Sequence, residues 1–472
     1  MIRSAPAAPG VVVLSTNLLT DRMLLHSGFL PALARGAAPR VWTPVAGRER
    51  YAEAAAALPA RFEDFPAVRE HSHAANVARR LLDYAWDHRG LSASRKSFWR
   101  LRRRSEEPRF HRLLWAAGAC VAGLRMQGLL ERWLEPRLLA ENRSEEALGR
   151  LKAQMPDALL TTSPFRFQEP AVVAAAKRLG IPVLAFITSW DNLSTKARMV
   201  LRHDAYLVWS EAMREELHAF YPSARRVPCT VVGAPQFDPF FQERFHLGRE
   251  EFLRSQGLDP ARPVILYALG SPNLIEEHHG LLALARRMRE GALGEAQLLV
   301  RPHPLFHAHP SLAEAEALGP WIRVQRAGQA VADLGGRFQD EAQVREWVNS
   351  LRHAQVVVNL SSTLAVDAAI LDRPVVNLDY DPAPDGRNRE LVHEINHVWN
   401  HFKPIAESGG LALVGDLDAT VAAIRAYQDR PALHREGRRR IVERVCGVVD
   451  GRAGERMGDA VLDFLARRST RA

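Results

Sequence analysis

The feature that most constrains this chain is an alternation, run through twice, of short apolar segments with longer amphipathic ones. Apolar runs of strand length followed by stretches with helical apolar spacing are the pattern of parallel strands joined by crossover helices. The first set opens with strands at 11–14 and 41–42 around a helix at 18–33. It resumes with strands at 158–162, 182–187, 205–209 and 230–232, and with helices at 170–179 and 211–220. Strand signals vanish between about 50 and 150, where helical patterns form an insertion. After a polar, Phe-rich passage at 236–250, a second set begins: strands at 263–268, 297–300, 321–324, 355–359 and 374–378, helices at 278–289, 343–351 and 363–371. This predicts an α/β chain of two doubly wound parallel sheets facing each other, with a ligand expected in the cleft outside the carboxyl ends of their strands. The expected domains are 1–244, carrying the insertion, and 245–472, with the helical tail at 416–471 returning to the first.

Composition narrows the function classes. The chain has 472 residues, 63 Lys plus Arg and 54 Asp plus Glu, a net charge of +9 that favours anionic partners but is too dilute to imply nucleic acid. Cys120, Cys229 and Cys446 are far apart and sit in no metal-ligand spacing, which argues against a disulfide framework and a structural zinc. The longest apolar stretch, 113–124, falls short of the roughly 20 residues of a spanning helix, and the run at 11–14 is too short for a signal peptide core. A cytoplasmic protein, at most touching the inner face of the membrane, is expected.

Four segments carry chemistry. In Leu298-Leu299-Val300-Arg301-Pro302-His303-Pro304 a buried strand stops at an Arg and a His held by prolines, and guanidinium with imidazole suits a phosphate. The plain alternative is a strand terminator with a surface Arg. In Asn359-Leu360-Ser361-Ser362-Thr363, hydroxyls gather where a strand hands over to a helix, a place for an anion or for an ordinary N-cap. Asp367, one turn on, can accept from a ribose or sugar hydroxyl or simply be a helix-start carboxylate. Gly270-Ser271 follows the first strand of the second set and permits close backbone approach to a ligand. In the first set, Ser189-Trp190-Asp191-Asn192-Leu193-Ser194-Thr195-Lys196 packs polar groups after an apolar strand; Asp191 is either a general base or a helix cap.

Two further signals read as structural, and a third stays open. Asp379-Tyr380-Asp381 has metal-binding spacing but is expected to start a loop, and His393, His397 and His401 are expected to share a helix face without a ligand set. The basic cluster of Arg95, Lys96, Arg100, Arg102, Arg103, Arg104, Arg109 and Arg112, interleaved with Phe98, Trp99, Phe110 and Trp115, fits a solvated helix face, an interfacial helix on anionic lipid, or nucleic acid.

Arg301-Pro302-His303-Pro304, Ser361-Ser362-Thr363 with Asp367, and Pro374-Val375 resemble the motifs of GT-B glycosyltransferases. The resemblance is to the branch joining bacterial surface-polysaccharide glycosyltransferases, CDP-glycerol glycerophosphotransferases and polysialyltransferases. Val232–Asp238 looks like the segment before the linker between lobes, and Ser189-Trp190-Asp191-Asn192 like a first-lobe motif; the similarity spans about 155–405. It implies two facing Rossmann-like domains and a nucleotide-sugar donor bound by Gly270, Ser271, Arg301, His303, Ser361, Ser362, Thr363 and Asp367. It further implies Asp191 and His303 as catalytic groups, Trp190, Asn192 and Lys196 on the acceptor side, and no metal or other cofactor. The expected activity is sugar transfer to a hydroxyl of a cell-envelope glycan, free or lipid-linked, with peripheral contact to an anionic membrane. CDP-glycerol-type polyol-phosphate transfer, sugar-nucleotide 2-epimerisation and non-catalytic nucleotide-sugar binding are the alternatives.

Overall fold

The computed structural model describes residues 8–470 except 91, 104–108, 166–167, 273, 304–308 and 326–337. Pro304 and Arg104 therefore lie outside the described residues, as do the side chains of Arg102 and Arg103. The chain divides into two units: residues 1–238, 333–340 and 446–472, and residues 239–332 and 341–445.

The first unit is built on seven parallel strands in the order β3-β2-β1-β4-β5-β6-β7. These are β1 (Gly10–Leu14), β2 (Ala38–Thr43), β3 (Arg61–Asp64), β4 (Ala158–Thr161), β5 (Val183–Phe186), β6 (Ala205–Val208) and β7 (Cys229–Val231). The central strands β4, β5 and β6 are buried along their whole length, as helices on both faces of a parallel sheet require. β3 is a correction to the strandless insertion: Arg-Phe-Glu-Asp pairs with β2 at the sheet edge, where one apolar residue suffices. The expected helix at 18–33 breaks at Ser27-Gly28 into Leu18–His26 and Phe29–Leu33. The tail helix Ala453–Ser469 lies against Phe29–Leu33, burying Met457, Val461 and Leu465. Its start is held by Asp238, whose carboxylate accepts from the N–H groups of Ala453 (3.1 Å) and Gly454 (2.8 Å).

The insertion between β3 and β4 is a helical subdomain. Helix His73–His88 packs against Arg109–Gly123, and they meet most closely at Gly118, where a Cβ would stand 2.7 Å from that of Tyr84. The expected single helix at 110–139 is two, Arg109–Gly123 and Gln127–Ala140, bent by 116°. The basic cluster does not form one surface. Arg95 is ion-paired to Asp87 at 3.1 Å, and Trp99 is buried and stacked on Trp115 with ring centres 4.6 Å apart, while Lys96, Arg100, Arg109 and Arg112 are exposed.

The second unit has six parallel strands in the order β10-β9-β8-β11-β12-β13. They are β8 (Val264–Ala268), β9 (Gln297–Arg301), β10 (Ile322–Val324), β11 (Val356–Asn359), β12 (Val375–Leu378) and β13 (Ala412–Val414). β13, a three-residue edge strand in the short apolar run 411–414, is not among the expected strands.

Candidate functional site

In each sheet the strand order reverses beside the first strand, and the loops on either side of that reversal are where doubly wound folds bind ligands. In the second unit the reversal lies between β8 and β11. Register aligns Arg301 with Ala268, Tyr267 with Val358 and Asn359 with Asn377, so four neighbouring loops leave the same sheet edge. Those loops carry Pro302-His303, Gly270-Ser271, Ser361-Ser362-Thr363 and Asp379. Parallel pairing thus brings every sequence-predicted donor group except Asp367 to one rim.

The group that ties this rim together is Glu277, which the sequence reading did not single out. It precedes helix His278–Arg289 and is buried. Its Oε1 accepts from the Gly270 N–H at 3.0 Å, and the Leu360 backbone also supports it, so one carboxyl spans the loops after β8 and β11. A Cβ at position 270 would overlap that oxygen, so a larger residue there would displace the carboxyl. Burial pushes the Glu277 pKa up to about 8, against the pull of the two backbone groups, so the side chain is largely protonated at neutral pH. Its Oε2 has no hydrogen-bond partner among the described residues, nor has either side-chain polar atom of Asn359, the fully buried last residue of β11. Leaving such groups unpaired costs about 1–3 kcal/mol each.

The three hydroxyls of Ser361-Ser362-Thr363 do different things. Ser361 adopts a left-handed backbone (φ 49°), its N–H donates to Asn377 Oδ1 (2.8 Å) and its Oγ to Asn396 Oδ1 (2.7 Å). Ser362 Oγ accepts from the Leu364 N–H at 3.3 Å. Thr363 precedes helix Leu364–Ile370, caps nothing with its side chain and is exposed. Arg301 is half-buried: its guanidinium donates to Gln325 Oε1 (3.0 Å) and lies 3.9 Å from Glu346, so part of its charge is already answered. Asp367 is buried and accepts from the Trp347 indole N–H at 3.0 Å.

Asn396 continues the network by donating to Asp379 Oδ1 (2.8 Å), whose other oxygen lies 2.8 Å from His397 Nε2. His393 and His397 do share the face of helix Arg389–His397, whereas His401 lies beyond it. Asp379, His393 and His397 bring ligand-type atoms within 4.8 Å of one another, an arrangement that could hold a metal ion. Asp381 starts the loop, accepting from the N–H groups of Ala383 (3.0 Å) and Asn388 (2.5 Å).

In the first unit, Asp191 follows β5 and precedes the short helix Asn192–Thr195. Its carboxylate accepts from Ser189 Oγ and from Thr195 Oγ1 (3.0 Å), which fixes its orientation. Trp190 is buried, and Asn192 and Lys196 are half-buried. The insertion braces the motif: Ser92 Oγ donates to the Ser194 carbonyl (2.6 Å) and Arg95 to that of Lys196 (2.9 Å). Beside it a cavity of about 250 Å³ is lined by Arg79, Arg80, Asp83, Arg95, Trp99 and Thr195, among others. Asp87 at its wall is pushed up to about 7 by burial. A second cavity of about 480 Å³ is lined by Arg69, Arg80, Arg143, His71, His73 and His111 with Glu70. His71 is held neutral, its pKa lowered to about 4 by burial, and it accepts from Arg143 at 3.0 Å. Sequence reading named Arg95 only as part of the basic cluster and missed the others: Arg79 and Arg80 belong to a helix that looks like ordinary amphipathic surface, and Arg69 and Arg143 to the loops before the helices His73–His88 and Glu145–Gln154.

No family model and no curated protein matches the chain. Solved structures do. The MnaA–UDP complex of S. aureus superposes with a TM-score of 0.53 at 10% identity, covering 97% of each chain. The UDP-GlcNAc 2-epimerase of Neisseria meningitidis bound to UDP-GlcNAc gives 0.51 at 10% identity, covering 97% of this chain and 99% of that one. The UDP-GlcNAc 2-epimerase of Methanocaldococcus jannaschii gives 0.52 at 13%, covering 96% and 99%. With its two doubly wound parallel sheets, the chain has the α/β architecture of the GT-B fold.

Proposed function

We propose that the chain is a glycosyltransferase that binds a nucleotide-activated sugar at the carboxyl edge of the second-unit sheet. The reading rests above all on the unsatisfied polar groups of Glu277 and Asn359 beside the point where strand order reverses. Both groups are enclosed, so a ligand would pair them by parting the loops after β8 and β11, and a protonated Glu277 can then donate from the oxygen that now lacks a partner. The diphosphate contacts Ser271, His303, Ser362 and Thr363, with Arg301 adding positive potential; Ser361 and Gly270 shape the loops that present them. Asp367 holds the following helix through Trp347. Positive and hydrogen-bonding groups stabilise the departing phosphate. The acceptor glycan hydroxyl binds on the first unit, where Asp191, already oriented by Ser189 and Thr195, removes its proton, and Trp190, Asn192, Lys196 and the arginine-lined cavity beside them position the acceptor. The cytoplasm, where nucleotide sugars are made, is the compartment this chemistry requires.

A second reading, sugar-nucleotide 2-epimerisation, is favoured by the near-complete coverage of the 2-epimerase structures. Incubation with UDP-GlcNAc alone separates the two, since an epimerase changes the sugar without an acceptor. A thermal-shift screen with CMP, CDP, UDP and GDP identifies the donor nucleotide, and a flat response to all four overturns donor binding. Asp191→Asn is expected to lower turnover about 10²–10⁴-fold with donor binding kept; unchanged turnover removes it as the base.

A further inference from the structure

We propose that the outer face of the helix pair Arg109–Gly123 and Gln127–Ala140 docks on an anionic lipid bilayer. This inference stands apart from the transferase reading and does not depend on it.

Helix Arg109–Gly123 uses one face, including Trp115, Gly118 and Ala122, against the rest of the insertion. A helix packed on one side ordinarily turns polar groups outward. This one does not: Phe110, Leu113, Ala117, Cys120 and Leu124 follow helical spacing and are all exposed. The next helix repeats the pattern, burying Leu134 and Leu138 while exposing Leu129, Trp133, Pro136 and Ala140. Leu113 is 70% exposed, Leu124 71%, Leu129 58% and Trp133 48%. Six of the ten exposed large apolar side chains among the described residues fall between Phe110 and Trp133. Concentration on that scale marks an interaction surface, because isolated exposed leucines would be scattered.

Charge decides the occupant. The exposed charged residues of the two helices and their connection are Arg109, Arg112, Arg125, Arg132 and Arg137. The two acids of the second helix turn inward, Glu131 to Arg198 at 3.3 Å and Glu135 to Arg202 at 3.1 Å. An apolar stripe whose exposed charges, among the described residues of the two helices, are all cations is complementary to acyl chains below an anionic headgroup layer. Arg137 lies over the Trp133 ring at 3.9 Å, pairing an aromatic and a cation as headgroup depth favours. No single described helix is long and apolar enough to cross a membrane. The 116° bend instead puts Leu124 and Met126 at an exposed tip, suited to entering one leaflet.

The test is co-sedimentation of the full chain with vesicles of phosphatidylcholine alone or mixed with phosphatidylglycerol, at low and high salt. Binding to the mixed vesicles that weakens with salt is expected. Leu113→Glu and Leu129→Glu should each reduce partitioning about tenfold or more with an unchanged Tm, since each removes a buried leucine's transfer free energy. A polarity-sensitive fluorophore on the exposed Cys120 should shift to the blue on the same vesicles. Failure to bind mixed vesicles at low salt, or equal binding by both variants, overturns the proposal. So does a self-associated chain that Leu113→Glu dissociates without any vesicle binding, which would make the face an interface between copies.

Discussion

The two units solve the same problem differently where their strand order reverses. In the first, Glu169 spans the loops after β1 and β4 as Glu277 spans those after β8 and β11 in the second. Glu169 accepts from Thr16 Oγ1 (2.6 Å), Thr161 Oγ1 (2.6 Å), Thr162 N–H (2.8 Å) and Ser163 N–H (2.7 Å), so both its oxygens are engaged. Glu277 has backbone support from Gly270 and Leu360 and an Oε2 without a partner among the described residues, as has the side chain of Asn359, the last residue of β11. A buried carboxyl with every lone pair answered is a rivet; one with an oxygen unanswered is a place for something to bind. The reversal point of the first sheet is closed by its own residues, whereas that of the second keeps unpaired polar groups, the feature on which the proposed donor site rests.

The largest expected effect breaks the rivet. Glu169→Ala orphans four donors, and urea unfolding followed by tryptophan fluorescence should show a loss of at least about 4 kcal/mol. A loss as small as that of a surface substitution would end the claim that the first edge is closed by this residue. Next, His303→Ala should weaken donor-nucleotide affinity by about tenfold to a hundredfold in calorimetry with unfolding unchanged, the range of a lost charge-assisted hydrogen bond. Unchanged affinity would take the phosphate away from the second edge.

Glu277→Gln sharpens the contrast through pH. Burial raises the folded-state pKa from an ordinary 4.5 to about 8, so between those values the folded protein keeps a proton the unfolded chain has lost. Stability should therefore fall as pH rises through that window, by up to about 5 kcal/mol, and the glutamine variant should not show this fall. Parallel pH curves for the two proteins would show that Glu277 is not buried as a neutral acid. The smallest effect is expected from Thr363→Val, a few-fold loss of donor affinity from about 0.5–1.5 kcal/mol of hydrogen bonding, read in the same titration.

What was legible in the sequence follows burial. Strands buried on both faces, such as β4, β5, β8 and β11, announce themselves as apolar runs because water is excluded from both sides. Edge strand β3 does not, since half its surroundings are solvent or loop, and β13 is only a four-residue apolar run, 411–414, between glycines. The rim residues Gly270, His303 and Ser361–Thr363 could be found because each ends a visible strand. Glu277 and Asn396 could not: one is the second of two adjacent glutamates in a polar loop, the other an ordinary helix residue, and only tertiary packing carries them to the rim. The arginine-lined cavities of the insertion were hidden for the same reason.

The anchoring of Ala453–Ser469 by Asp238 has a consequence for biogenesis. The second unit is nested within the first along the chain, so a nascent polypeptide emerging from the ribosome carries an incomplete first unit while the whole of the second is being translated. Until the last helix arrives, Phe29, Leu30 and Leu33 lack their cover and Asp238 lacks the two N–H groups it accepts. Completion of the first unit thus waits until residues 453–469 have been made, and a chain stalled or clipped before residue 453 would present a sticky surface for chaperones or proteases to read.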